Sequence, residues 1–378
     1  MINSIAFKDF RGLDDVTLSL SQVTMLTGTN GVGKTSVLEG LYCLFSETRL
    51  DVSPLSRYNK SIGIMINQAA NVPVGFAARQ NYNYRLFWDE CPSYEQAECS
   101  VSAKTNNGLA WSWKYRKAKL SDLSSQITMN NPVSVDSSTE FALWNWQTTG
   151  RVNDKKSHQF LNVNEKFSRA QILAQDGGLY LLPLEGRAMS ICKYLDFASI
   201  RLQPQKLSFN TSKQLTEALK IINPRVTDVR LTDIESGLSV VLDDSNSVTL
   251  GTIGNGAVTW ASALIAIFDV IESIKNEPQM DTPVLLLIDE MGAGIHYSIM
   301  LDVWKYINAF AKQNPKVQFV FTSHSDDCIR AYCKAFSDSD VARIVRLHQS
   351  AVDHKVIPTD YLKSQFSKIA EGDWEVRG

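Results

Sequence analysis

The sequence predicts an α/β fold that carries an antiparallel, β-rich insertion. Three observations lead there. A glycine-rich segment, Gly28 to Thr35, stands between a strand pattern and a helix pattern. A continuous apolar run, Val284 to Ile288, and a second one broken only by Gln318, Val317 to Phe321, have the composition of strands covered on both faces, as in a parallel sheet. Over residues 51–155 the hydrophobic period becomes two and the composition turns to Asn, Ser and Trp, which marks a different kind of sheet.

At the start of the chain, Ile2, Ile5 and Phe7 indicate an opening strand, Arg11-Gly12 a turn, and Val16, Leu18 and Leu20 a second strand leading into Val23 to Thr27. After the glycine loop, Val37, Leu38, Leu41, Tyr42 and Phe45 have helical spacing. The region 51–155 holds Trp88, Trp111, Trp113, Trp144 and Trp146, five of the eight tryptophans. Within it Cys99, Val101 and Ala103 precede Asn106-Asn107-Gly108, and Leu109, Trp111, Trp113 and Tyr115 then alternate with polar residues, the pattern of a hairpin. Lys114 and Arg116, with Lys117 and Lys119 beyond, read as a solvated strand face.

Helices are expected to return over 160–225, one of them opening at Thr211 with Gln214 at capping-box spacing. Strands follow over 226–250 with a turn at Asp243 to Ser247. Ala257 to Ile271 is an apolar helix that contains Asp269 and runs into Glu272. It is too short for a bilayer and reads as a core helix, so no membrane association is expected. The domain reading is a core of residues 1–50 and 156–378 with the β-rich, Trp-containing insertion at 51–155.

The 378 residues suffice for one elaborate domain or two intimate ones at ~150 residues per domain. Hydrophobic residues at 44% and charged residues at 21% argue against disorder. A formal net charge of −2 provides no global positive field, so any DNA binding has to come from a local groove. Six cysteines without a CxxC pair, and a start lacking a signal-peptide profile, point to a reducing cytoplasm.

Four segments carry chemistry. Gly28-Thr29-Asn30-Gly31-Val32-Gly33-Lys34-Thr35 fits the P-loop pattern: backbone N–H groups turn inward around a β-phosphate and Lys34 reaches the β- and γ-oxygens. The Thr35 hydroxyl ligates Mg²⁺, and Ser36 adds a hydroxyl near the α-phosphate. Leu285 to Glu290 is an apolar strand that delivers two carboxylates at its C-terminal end, Asp289 for Mg²⁺ and Glu290 to polarise a water attacking the γ-phosphate. Thr322-Ser323-His324-Ser325 follows the next apolar strand and offers an imidazole to the γ-phosphate or the water. Gly251 to Gly256 precedes the apolar helix, where Gly254, Asn255 and Gly256 expose N–H groups to an anion. Asp338-Ser339-Asp340 spells a DxD pair but reads as a surface loop.

Taken together, Asn30-Gly31, Gly254-Asn255-Gly256, Asp289-Glu290-Met291-Gly292-Ala293-Gly294-Ile295-His296 and Thr322 to Ser325 resemble the AAA-type ATP-binding proteins grouped with RecF, SMC and OLD ATPases. Phe7 to Leu13 and Trp374 to Arg377 resemble that family's ends. The resemblance implies an ABC-ATPase-like P-loop nucleotide-binding domain, ATP and Mg²⁺ as cofactors, and Glu290 and His324 as the catalytic pair. It makes Gly254-Asn255-Gly256 the signature that covers the γ-phosphate held by another subunit, hence a homo-oligomer assembled through shared ATP sites. The signature has Thr252 as its nearest hydroxyl in place of the usual serine, which implies slow turnover. Gln68 and Gln80 both stand as candidates for the Q-loop glutamine.

OLD-type proteins carry a Toprim nuclease after the ATPase, whereas 54 residues follow His324 here (378 minus 324), so a nuclease is expected on a separate chain. The resulting expectation is a cytoplasmic ATPase sensor subunit of a bacterial anti-phage system. It resembles the stand-alone ATPase of PARIS systems, controlling a separate effector such as a Toprim-like nuclease and answering DNA or a phage-encoded trigger. The alternative is a RecF- or SMC-like DNA-binding ATPase of repair or recombination. Intact Lys34, Asp289, Glu290 and His324 argue against a scaffold with a vestigial site.

Overall fold

A computed structural model describes residues 1–45, 98–119, 140–154, 159–172, 191–196, 209–231, 238–276, 283–372, 374 and 376. The order opens with β1 (Ile2–Phe10), β2 (Leu13–Ser19), β3 (Val23–Thr27) and α1 (Lys34–Phe45). Strands β4 (Glu98–Thr105), β5 (Ala110–Lys119), β6 (Glu140–Asp154), β7 (Gln159–Ile172) and β8 (Ile191–Asp196) follow. Then come α2 (Phe209–Leu219), β9 (Val226–Leu231), β10 (Leu238–Leu242), β11 (Ser247–Thr249), α3 (Leu250–Ile253) and α4 (Asn255–Asn276). The remainder is β12 (Val284–Asp289), α5 (Tyr297–Gln313), β13 (Val317–Thr322), α6 (Asp326–Ala335), β14 (Ala342–Gln349), β15 (Val356–Tyr361) and α7 (Lys363–Glu371).

These strands make the α/β architecture that the sequence predicts. One sheet, in the order β15-β14-β3-β13-β12-β8, is parallel except for its antiparallel edge β15. Every residue of β3, β12 and β13 is buried, because helices cover one face and α1 with a second sheet covers the other. Alternation along β12 shows the two layers: Leu286 and Ile288 join the core with Trp260 of α4 and Trp304 of α5, while Leu285 and Leu287 join Val37 and Leu41 of α1. The second sheet is antiparallel, in the order β2-β1-β4-β5-β6-β7. Arg11, in the β1–β2 turn, ion-pairs with the buried Glu39 of α1 and ties this sheet to the helix. A small sheet, β11-β10-β9, completes the strands described.

The hairpin at Asn106-Asn107-Gly108 forms as expected, with Trp111 and Trp113 buried and Lys114 exposed. Its strand β4 pairs with β1 over Ser4 to Lys8, so β4 to β7 extend the sheet of the N-terminal hairpin, and β6 with β7 draws that sheet across residue 155. Trp88, Gln68 and Gln80 lie outside the described residues, as do the side chains of Arg116, Lys117, Lys119, Trp144 and Trp146.

Three expectations are corrected. Residues 159–172 and 191–196 are strands, where helices were expected from 160 onward. Helix α2 opens at Phe209, which places Thr211 inside its first turn and not at its start. The segment ahead of the apolar helix is itself helical at Leu250–Ile253, and Asn255 and Gly256 are the first residues of α4. Residues 255–272 of α4 are long and apolar enough to cross a membrane by composition alone. Trp260, Ala261, Leu264 and Ile267 are instead buried against β12 and α5, as in a core helix.

Candidate nucleotide and metal site

Because β3, β13 and β12 are adjacent and parallel, the loops after all three leave the same edge of the sheet. These are the glycine loop, Thr322 to Ser325, and Asp289-Glu290. Three segments distant in sequence are thereby brought together by the order of the strands.

Glycines shape the first loop. Gly28, Gly31 and Gly33 have φ of 132°, 82° and 102°, and a Cβ at Gly28 would collide with the carbonyl oxygen of Leu347 in β14. Asn30 and Gly31 are exposed, Val32 is buried under the loop, and Lys34, Thr35 and Ser36 are half-buried in the first turn of α1. Lys34 Nζ donates to Gly28 O and Thr29 O, both at 2.7 Å. Burial lowers its pKa, against which Asp289 and then Glu290 act to raise it. The ammonium therefore sits within the field of both carboxylates.

Asp289 is the hub. Its side chain is buried at 1% exposure, and its Oδ2 accepts from Thr35 Oγ1 at 2.9 Å and from Tyr194 OH at 3.1 Å. Its Oδ1 accepts from Thr322 Oγ1 at 2.5 Å. The Thr322 hydroxyl, with its proton committed to Asp289, accepts in turn from the Glu290 backbone N–H at 2.8 Å. One hydroxyl of β13 thus holds both acidic positions of the β12 end.

Glu290 has φ of 57°, the left-handed region that a residue with a Cβ enters at a penalty of roughly 1–2 kcal/mol. Such strain persists where the surroundings over-determine it, which is common at working sites. Here the bond to Thr322 and the following turn fix it, with Met291 N donating to Thr322 O at 2.8 Å. Ser323 Oγ and Cys328 Sγ both donate to Met291 O, at 3.0 and 3.3 Å, which locks the two loops to each other. His324 stands exposed at the tip, and among the described residues it has no hydrogen-bond partner, so its imidazole is open to a ligand.

The glycines at the start of α4 meet a different surface. A Cβ on Gly256 would lie 2.6 Å from Gly294 O and 3.4 Å from Ile295 Cα, so the 254–256 segment is seated on the loop that follows Glu290. Gly254, with φ of 127°, turns the chain into the helix. His296 caps α5, its Nδ1 accepting from Ser298 N at 3.3 Å. Asp338 is exposed and Asp340 pairs with Lys363 at 2.5 Å, so the DxD pair is a surface turn as read from the sequence. Among the described residues no group of three or more His, Cys, Asp or Glu is placed to hold a metal.

The chemistry of the donors suits ATP with Mg²⁺. A hydroxyl and a carboxylate 2.9 Å apart are the hard oxygen ligands that Mg²⁺ prefers alongside substrate phosphates, and the positive-φ glycines leave the loop amides free to turn toward a phosphate. Sequence reasoning missed Tyr194 and the role of Thr322. Thr322 lay inside a recognised motif, whereas Tyr194 lay on a strand read as helix.

Comparison with known proteins gives one family match. Residues 1–173, a little under half of the chain, match the family model described as AAA ATPase domain. No curated protein matches. Among solved structures the SMC head domain from Thermotoga maritima is similar, with 11% identity, a TM-score of 0.40, and coverage of 95% of this chain and 98% of that one. The family match and the P-loop geometry define an α/β P-loop domain of ATPase type.

Proposed function

We propose that this protein is an ATP-hydrolysing switch: a cytoplasmic sensor and regulatory subunit of a bacterial anti-phage system that assembles through shared ATP sites and controls a separate, Toprim-like nuclease. The observation that carries the ATPase reading is the Thr35–Asp289 hydrogen bond across 254 positions of sequence, which joins the P-loop to the acidic strand end. The defence role rests on the resemblance of the motif set to the RecF, SMC and OLD group.

In this reading the amides of Asn30 to Thr35 bind the β-phosphate, and Lys34 leaves the carbonyls of Gly28 and Thr29 for the β- and γ-oxygens. Thr35 and Asp289 would hold Mg²⁺, which neutralises charge developing on the phosphates. Glu290 accepts the proton of the attacking water as its oxygen bonds to the γ-phosphorus and the bond to the bridging oxygen breaks. His324 donates to the γ-phosphate. Gly254, Asn255 and Gly256 cover the γ-phosphate of a neighbouring protomer, so that bound ATP favours the assembled state and a trigger favouring the other state releases the effector.

A second reading, a RecF-like DNA-binding ATPase, draws on the exposed lysines of the antiparallel sheet. Lys8, Ser100 and Lys114 share one cross-strand row and Lys104 lies on the same face. Asp15 sits opposite Lys8 and offsets that row.

Lys34→Ala is expected to lose ATP binding by calorimetry, while Glu290→Gln retains ATP and accumulates the oligomer. Equal ATP affinity in wild type and Lys34→Ala would refute the site. Purifying Glu290→Gln protein with ATP from cells carrying the native gene neighbourhood separates the two roles. A stoichiometric nuclease-like partner supports the switch, whereas recovery of only DNA and repair proteins supports the second reading.

A further inference from the structure

Tyr194 stands out among the residues around Asp289 because it belongs to none of the four chemistry-bearing segments. It lies on β8, the strand beside β12, where the register sets Tyr194 opposite Leu287 and brings Asp196 level with Asp289. Its side chain is half-buried and reaches over the strand end, so that its hydroxyl donates to Asp289 Oδ2 at 3.1 Å. The ring packs edge-on against Tyr42 of α1, with centroids 6.0 Å apart and planes at 78°. One phenol therefore links the P-loop helix, strand β8 and the buried carboxylate.

The distribution of donors on Asp289 gives the phenol a specific task. Oδ1 is held by Thr322, while Oδ2 takes both Thr35 and Tyr194. Of those two, Thr35 can offer an oxygen lone pair to a cation while its proton stays on Oδ2. Tyr194, on a different strand, is a second donor on Oδ2 and holds the carboxylate plane where a cation beside Thr35 meets it. Partners of this kind, which orient a ligand without touching the metal, typically change metal affinity by ~10–100-fold when removed.

We propose that Tyr194 is a positioning residue of the metal site, fixing the Asp289 carboxylate through Oδ2 so that Mg²⁺ can be held between Asp289 and Thr35. The inference rests on the ATPase reading above. The test is Tyr194→Phe in the full chain, which removes the hydroxyl and keeps the ring against Tyr42. Binding of a fluorescent ATP analogue is titrated with Mg²⁺, and separately measured in EDTA, for the variant and wild type. The expected result is a half-saturating Mg²⁺ concentration raised about 10-fold or more, with nucleotide affinity in EDTA and thermal midpoint unchanged. An unchanged Mg²⁺ midpoint overturns the inference and leaves the ATPase reading intact. An equal loss of affinity in EDTA also overturns it, because the hydroxyl would then act through the fold. Wild-type protein that shows no Mg²⁺-enhanced nucleotide binding overturns both.

Discussion

Replacing Thr322 by Val tests the hub directly, since it exchanges a hydroxyl for a methyl of nearly the same shape and opens no cavity. Two bonds vanish together: the donor to Asp289 Oδ1 at 2.5 Å and the acceptor for Glu290 N at 2.8 Å. Thr322 is 1% exposed and Asp289 equally so, and water does not readily replace either partner. Leaving a buried polar group short of its partner costs about 1–3 kcal/mol, more beside a charge, so a loss of about 2–4 kcal/mol in folding stability is expected. Glu290 also loses the contact that holds its left-handed backbone, and turnover is expected to fall by about 10–100-fold, in line with partners that orient a metal ligand. Thr322→Ser is the control, because it keeps the hydroxyl and removes one methyl. Urea unfolding and Mg²⁺-dependent phosphate release are measured on all three proteins. If Thr322→Val behaves as Thr322→Ser does in both assays, the hydroxyl does not organise the acidic pair and the reasoning fails.

Gly256→Ala forces a Cβ to within 2.6 Å of Gly294 O and is expected to destabilise by about 1–3 kcal/mol and to weaken ATP-driven oligomerisation. Gly251→Ala meets nothing within 4 Å and should stay within about 0.5 kcal/mol of wild type; indistinguishable melting of the two variants would overturn the close-contact argument. Burial raises the Cys328 thiol to about 11 and the Cys333 thiol to about 12, from 9.0. Both keep their protons in the fold to higher pH than in the unfolded chain. The stability this gives is complete below pH 9.0 and is lost as pH rises through about 11 to 12. The expected contribution is on the order of 3 kcal/mol for Cys328 and about 4 kcal/mol for Cys333, so the urea midpoint of Cys328→Ala should fall less steeply between pH 9 and 11 than that of wild type. Parallel curves would exclude the thiol as a cause.

Much of the central sheet was legible because strands covered on both faces are mainly apolar, as Val284 to Ile288 and, apart from Gln318, Val317 to Phe321 are. The glycine loop was legible because its residue types are dictated by backbone conformation, and the Trp hairpin because one face is buried and the other wet. Strand β8 was not, for a physical reason: among the described strands it is an edge paired only with β12, and Lys193 is exposed with Ile191 and Leu195 only half-buried, which blurs the period. Strand β7 pairs with β6 over fourteen positions and takes its conformation from that partner rather than from its own sequence, where Asn162, Asn164, Glu165 and Lys166 interrupt the apolar residues. Thr211 matched a helix-start pattern, but α2 gains two further residues toward its N-terminus while Ser212 bonds the Val229 carbonyl, a tertiary contact that local sequence does not encode. The site residues split the same way. Lys34, Thr35, Asp289 and Glu290 belong to local motifs, whereas the Tyr194 contact spans 95 positions and exists only once β8 lies beside β12.

Strand β3 takes both of its sheet neighbours, β13 and β14, from far along the chain, and Thr27, just before the glycine loop, donates to the carbonyl of Val376 across 349 positions. During synthesis the P-loop emerges early but has no parallel neighbour to pair with until nearly all of the described chain has been made. Long-range parallel pairing of this kind is slow to form and leaves apolar strand surface uncovered meanwhile. The strands that flank the glycine loop are therefore in place only once translation has run past β14. Residues 1–173 contain the P-loop and the antiparallel sheet β2-β1-β4-β5-β6-β7 but neither strand that flanks β3.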